Sequence, residues 1–367
     1  MVAPKISEWA SSPAAFDFRS DTLTTPTPSM LASLTHASLG DEVYLESTTT
    51  TSLESRLAKL FAKPAALFVL SGTMGNQLCL RSHLTQPPHS VLCDVRAHIN
   101  VYEAGGVASL SQALVTAVRP SNGKWITLED VKKEVILGSD IHYAPTRVIS
   151  VENTINGVIM PLEEIRRISE FAREHGIKMH LDGARLWNAC SVPDAPELHE
   201  YAALVDSLSV CMSKSLGAPV GSFILGEKKF IDHGRHMRKA IGGGIRQAGL
   251  LTAMAEVALD EVFLGGRLAE TNGYAKRLEA KWRALGGETT LPVDTNMVWL
   301  DLEKRGVSME VWMEEARKRG VRIGGGRIVC HYQNSTEAIE KLELAMEAAC
   351  KRAIKSNANG EKAGDVE

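Results

Sequence analysis

No two of the six cysteines (Cys79, Cys93, Cys190, Cys211, Cys330, Cys350) stand in a CxxC pair, and they lie far apart along the 367 residues. That spacing argues against a zinc knuckle and a dense disulfide scaffold, and it suits a reducing cytosol. No metal site is expected. Charge of one sign is also scarce: 41 basic against 44 acidic residues leave a net charge of -3. There is no basic stripe for nucleic acid and no polybasic surface for a membrane. No run approaches the roughly 18 apolar residues of a membrane span, and "MVAPKISEWASSPAAF" lacks the basic start and apolar core of a secretory leader. Internal repeats and low-complexity tracts are missing too. What is left, 44% hydrophobic and 23% charged, is the composition of a soluble cytoplasmic protein that handles small molecules. The length allows one large domain and a smaller one.

From about residue 148 apolar runs alternate with helical patterns. "RVISVEN" reads as a strand, and "PLEEIRRISEFAREHG" repeats Leu162, Ile165, Ile168 and Phe171 at helical spacing before a stopping glycine. "IKMHLDGA" and "DSLSVCMS" are further strands, with a short helix near "APELHEYAALV" between them. This rhythm predicts βαβ units and a mainly parallel sheet, in which ligands gather at the carboxyl ends of the strands. Both "LDGAR" and "SKSLGAP" fall at such ends. Upstream, "TTTSLESRLAKLFAK" reads as a helix, "AALFVLSG" as an apolar run and "GTMGNQLCLRSHL" as a helix opened by glycine. "AIGGGIRQAGLLTAMAEVALDEVF" is a long helix candidate, after which "YAKRLEAKWRALGG", "NMVWLDL" and "MEVWMEEARKRG" follow a different rhythm. The expected domains are an N-terminal arm over 1–33, a large domain over 34–269 and a small one over 270–354. The polar tail over 355–367 is expected to be disordered.

Lys214 and Asp182 both stand at strand ends, one strand apart in the pattern. An amine and a carboxylate converging there match what pyridoxal phosphate needs, an amine for its aldehyde and an anion for its ring nitrogen. Taken alone, Lys214 reads as a strand cap and Asp182 as the start of a turn; the combination is what points to the cofactor. "SGTMGN" offers the backbone amides of Gly72 and Thr73 at a helix start for a phosphate, and "RKAIGGGIRQAG" offers Arg246 after three glycines. Arg185, three residues after Asp182, presents a guanidinium that can take a carboxylate through two hydrogen bonds. His98 in "CDVRAHINVYEAGG" is expected in a loop, where an imidazole can stack on a cofactor or move a proton.

The consecutive motifs "FRSDTLTTPTPSM", "GDEVY", "SGTMGN", "RAHINVYEAGG", "ENTINGV", "HLDGARLWNA", "CMSKSLGAPVGS", "GGGIRQAG" and "RIVCHYQ" resemble those of the L-threonine aldolase family over nearly the whole chain. The resemblance implies the aspartate aminotransferase fold (fold type I), with a mainly parallel seven-stranded sheet in the large domain and a smaller C-terminal α+β domain. It implies a homotetramer with active sites shared at a dimer interface. Carried over residue by residue, Lys214 is the Schiff-base lysine, Asp182 the partner of the ring nitrogen and His98 the ring-stacking histidine. Gly72, Thr73 and Arg246 hold the phosphate. Ser20, Arg185 and Arg327 take the substrate carboxylate, His142 lies near the substrate hydroxyl, and Tyr44 and Tyr102 border the pocket.

Three positions depart from the family pattern: "GDEVYLES" replaces "GDDVYGED", Asn100 stands where an aromatic is common, and "ENTING" carries Ile155 in place of a histidine. The implied reaction cleaves the Cα–Cβ bond of L-threonine or L-allo-threonine to glycine and acetaldehyde, with His98, His142 or a water between them as the base. Racemisation of an amino acid such as alanine is the alternative within the same family, and a catalytically silent cofactor-binding scaffold is a third reading.

Overall fold

The computed structural model describes residues 11–361, with side chains to 354. Contacts divide the chain into two compact units, one formed by residues 26–265 and the other by the segment up to 25 together with the chain from 266. The second boundary falls four residues before the expected 270. The expected arm over 1–33 is divided, because Phe18 is part of the smaller unit's core while Met30, in the helix Pro28–Ser33, is buried in the larger one. The final helix runs Thr336–Glu361, so the first part of the expected tail continues that helix, and 362–367 lie outside the described residues.

The larger unit is built on a seven-stranded sheet. In chain order its strands are β1 (Ala65–Val69), β2 (Ser90–Asp94), β3 (Leu114–Val118), β4 (Thr146–Glu152), β5 (Lys178–Asp182), β6 (Ser207–Cys211) and β7 (Ser222–Gly226). The spatial order is β1-β7-β6-β5-β4-β2-β3, and only β7 runs against its neighbours. β2, β6 and β7 are buried at every residue, which is why they read as unbroken apolar or small-residue runs. The serines of β6 answer to the helix Gly72–His83 that lies over it: a Cβ at Gly75 would stand 2.5 Å from Ser209 Oγ. Small side chains on both elements permit that close approach.

The expected long helix over "AIGGGIRQAGLL" begins only at Gly249 and passes from Ala258 into a π-helical turn, Leu259–Leu264. The glycines before it form a loop instead, with Gly242 at φ +83°. In the smaller unit, β8 (Glu288–Thr289), β9 (Met297–Asp301) and β10 (Arg327–Val329) form an antiparallel sheet in the order β10-β9-β8. Trp282, Trp312, Leu342 and Met346 fill the core beside it.

Candidate active site

The carboxyl ends of β4, β5 and β6 assemble the site of the larger unit. Parallel pairing sets Glu152 opposite Asp182 and Asp182 opposite Ser209, so two carboxylates sit side by side at one sheet edge. The loop after β6 carries Lys214, and Met212 N–H donates to the Gly221 carbonyl at 3.0 Å to close it. Gly221 adopts φ +117°, and a Cβ there would lie 2.4 Å from the Phe68 ring, so only glycine suits that end of the loop.

Asp182 is buried, and both of its oxygens are engaged. Ala184 N–H donates to Oδ1 at 3.0 Å and Asn76 Nδ2 donates to Oδ2 at 2.7 Å. The same Asn76 nitrogen donates to Glu103 Oε1 at 2.8 Å. Glu103, itself buried, takes a second hydrogen bond from Gln77 Nε2 (2.6 Å) and faces His98 Nδ1 at 2.7 Å. His98 opens a short helical turn, His98–Val101, rather than lying in open loop, and its backbone N–H donates to Glu152 Oε2 at 2.8 Å. The Tyr102 ring stands 5.6 Å from the imidazole. Glu103, Asn76, Gln77 and Glu152 carry this geometry although none is singled out by the sequence. The signal that could have found the first three is their place inside "RAHINVYEAGG" and directly after "SGTMG".

Charge follows from this packing. The Glu103 hydrogen bond, aided by Asp182, raises the pKa of His98 above its ordinary value against the opposing effects of burial and of Lys214. Complete burial, with the Asp182 charge beside it, pushes the Glu152 carboxyl up to about 7, while Lys214 and His98 pull it the other way. Lys214, His98, Glu152 and Asp182 thus act on one another as a single electrostatic group.

Ser71 caps the helix Gly72–His83 by accepting from Met74 N–H at 3.1 Å. The first N–H groups of a helix have no intrahelical partner, so those of Gly72 and Thr73 are presented for an anion. Ser222 Oγ, buried without a hydrogen-bond partner among the described residues, lies 3.7 Å from where a Gly72 Cβ would be. The glycine loop leading to Arg246 packs on the same helix turn, since a Cβ at Gly243 would lie 2.8 Å from the Met74 side chain. Arg246 Nη1 itself donates to Asp41 Oδ2 at 3.0 Å. Arg185 follows Asp182 as the cap of the short helix Leu186–Ala189. An amine, an anchored carboxylate, an unpartnered hydroxyl and a helix start together fit pyridoxal phosphate.

His142 projects from a polar loop with an 80% exposed side chain and faces Asp140 at 2.7 Å. Tyr44 is exposed, one residue before Leu45, which keeps the left-handed conformation (φ 61°) that a glycine would adopt. Asn100 Nδ2 donates to the Val95 carbonyl at 2.8 Å, and Ile155 is buried. Ser20 and Arg327 belong to the smaller unit, where Ser20 hydrogen-bonds Thr22 at 2.8 Å and the Arg327 guanidinium lies 5.8 Å from the Trp299 ring.

The sequence profile of beta-eliminating lyases matches residues 17–305. A low-specificity L-threonine aldolase of Candida albicans is 49% identical over 331 residues, covering 89% of this chain and 88% of that protein. The chain belongs to the beta-eliminating lyase family, alongside the L-threonine aldolases. Another relative of this family member, the alanine racemase TOXG of Cochliobolus carbonum, is 42% identical over 335 residues, 90% of this chain and 86% of the racemase. A solved structure of Leishmania major threonine aldolase superposes with a TM-score of 0.77 at 21% identity, over 92% of this chain and 99% of that one. The fold of this chain is the expected one: an α/β large unit whose seven-stranded sheet is parallel except for β7.

Proposed function

We propose that this family member is a carbon-carbon lyase that binds pyridoxal phosphate and cleaves L-threonine or L-allo-threonine to glycine and acetaldehyde. The observation that carries the reading is the hydrogen-bonded set Asp182, Asn76, Glu103 and His98 at the sheet edge, next to the Lys214 loop. Its support is the high identity to a low-specificity L-threonine aldolase over most of both chains. When bound, pyridoxal phosphate supplies an electron sink for the charge left on the substrate Cα.

The remaining work falls to the chain. Lys214 supplies the amine that holds the cofactor aldehyde, Asp182 keeps its ring nitrogen protonated, and Gly72, Thr73 and Arg246 take its phosphate. Arg185, Arg327 and Ser20 bind the substrate carboxylate. By orienting the bound substrate, these contacts would decide whether its Cα–Cβ or its Cα–H bond is the one weakened. His98, positioned by Glu103, takes the β-hydroxyl proton directly or through water. His142, Tyr44 and Tyr102 border the substrate. Two neighbouring proton donors would suit the racemase reading, which the TOXG relative keeps as the second choice.

No helix among the described residues is long and apolar enough to cross a membrane. The proposed setting is the cytoplasm, and the proposed assembly a homotetramer. Support for self-association comes from the exposed large apolar side chains Leu39, Tyr44, Leu45, Tyr102 and Ile141.

Purified protein incubated separately with L-threonine, L-allo-threonine and L-alanine tests the reading by acetaldehyde release and by the chirality of the remaining amino acid. Acetaldehyde from either hydroxy amino acid is expected. D-alanine without acetaldehyde would overturn the aldolase in favour of the racemase. Lys214→Ala is expected to lose both the activity and the cofactor's visible absorbance, and a variant that kept the absorbance would refute the role given to Lys214.

A further inference from the structure

Behind Asp182 a line of side chains runs back through the larger unit. His83 Nε2 lies 2.8 Å from Ser207 Oγ, and Ser207 Oγ lies 3.0 Å from His180 Nδ1. His180 Nε2 lies 3.1 Å from Asn76 Oδ1, and Asn76 Nδ2 reaches Asp182 Oδ2 at 2.7 Å. The fold supplies the alignment. His180 and Ser207 are register partners on β5 and β6, and His180 precedes Asp182 by two, on the same face of its strand. Asn76 and His83 are seven apart on the helix Gly72–His83, two turns along one face.

One arrangement of protons joins every side chain of this line, with the Ser207 carbonyl as a second neighbour of the His180 ring. Asn76 Nδ2 serves two carboxylates, Asp182 and Glu103, so its oxygen is the atom turned to His180, and His180 must present an N–H at Nε2. Burial pushes His180 down to about 4 and His83 down to about 3, so both rings are neutral at pH 7. Neutral His180 with its proton on Nε2 has a bare Nδ1, which accepts from the Ser207 hydroxyl. The Ser207 oxygen in turn accepts from His83 Nε2–H. Every donor therefore points towards Asp182.

We propose that His180, Ser207 and His83 are positioning residues for Asp182, forming a one-way hydrogen-bond chain that orients the Asn76 amide and holds the carboxylate aimed at the cofactor's ring nitrogen. Reversing any member would turn a bare imidazole nitrogen onto Asn76 Oδ1 and release that amide. The inference rests on the pyridoxal phosphate reading given above. It assigns work to the buried His180 and Ser207 and to the half-buried His83.

The test uses the full chain and the variants Ser207→Ala, His180→Phe and His180→Gln, the last keeping an amide donor for Asn76. Four quantities are read: the pyridoxal phosphate dissociation constant by protein fluorescence, the pH midpoint of the bound cofactor's visible band, the His180 tautomer by nitrogen-15 NMR, and thermal melting. Ser207→Ala is expected to weaken cofactor binding about tenfold, the scale of one hydrogen bond feeding a charged group, and to move the visible midpoint while melting changes little. His180→Phe does the same or more, and His180→Gln recovers most of the loss. In wild-type protein the Nε2–H tautomer is expected. Folded Ser207→Ala with wild-type affinity and midpoint would overturn the inference, as would an Nδ1–H tautomer in the wild type. Ser207→Ala, the smaller change, decides the matter if His180→Phe fails to fold. A wild-type protein that binds no pyridoxal phosphate would instead overturn the cofactor reading on which the chain's purpose depends.

Discussion

Replacing Glu103 by glutamine keeps its shape and removes its charge. In the wild type, Oε1 faces two donors, Asn76 Nδ2 at 2.8 Å and His98 Nδ1 at 2.7 Å, and Oε2 faces Gln77 Nε2 at 2.6 Å. A glutamine amide must turn its NH₂ to one side or the other, so at least one donor meets a donor. The less costly orientation keeps the oxygen on Asn76 and His98 and confronts Gln77, but the imidazole then has a neutral partner. A hydrogen bond to a charged group contributes about 1.5–3 kcal/mol, so kcat/KM for threonine is expected to fall roughly 10- to 100-fold.

The pH dependence follows with a definite sign. The Glu103 bond is the first cause of the raised His98 pKa, and burial is the main opposing effect. Without that bond burial prevails and the pKa falls. His98 in the wild type contributes stability that is fully present below its ordinary value near 6.5 and is lost as pH rises through the raised one. Glu103→Gln removes that contribution, so the variant loses more stability on the acid side than on the alkaline side. The assay is an NMR titration of the His98 ring, set beside acetaldehyde release over the same pH range. A His98 that titrates at the wild-type pH in Glu103→Gln would refute the reasoning even if activity fell.

Three further outcomes are expected. Leu45→Gly relieves a left-handed leucine at φ 61°, and after allowing for glycine's greater freedom in the unfolded chain it should stabilise by roughly 0.5 kcal/mol in urea melts. Arg238→Met removes one of the two guanidinium groups that pair with Glu42, 1% exposed, leaving Arg235 in place, and should cost about 1.5–3 kcal/mol in urea melts. Because the folded protein holds a Glu152 proton up to about pH 7 that the unfolded chain gives up near 4.5, wild-type stability falls over that interval. Glu152→Gln should remove the slope, gaining on the order of 1 kcal/mol or more at pH 8 relative to pH 5 in paired urea titrations.

Much of the fold could be read without coordinates because its strands announce themselves locally. "RVISVE", "IKMHLD" and "DSLSVC" are apolar or small-residue runs bounded by helix patterns, and they became β4, β5 and β6. The single lysine after β6 and the aspartate after "MHL" likewise belong to motifs contained in a few consecutive residues, so sequence alone pointed to a cofactor with an amine and an anion as its partners. The failures lie where one local signal meets a competing one. The glycines of "AIGGG" ended a helix that the following apolar run seemed to begin earlier, since Gly242 takes a left-handed conformation that no helix accommodates.

Only the tertiary structure decided what surrounds those two residues. Asn76 reaches Asp182 across 106 positions and Ser207 reaches His83 across 124, separations over which no periodicity carries information. Parallel pairing, helix placement and burial bring these polar groups together, and burial then sets their protonation: Glu152 is raised, His180 and His83 are held neutral, and His98 is raised by a neighbour that packing supplies. The chemical vocabulary of the site is local and so is written along the chain. The protonation states on which that chemistry depends are set by desolvation and contact, which exist only once the chain has folded.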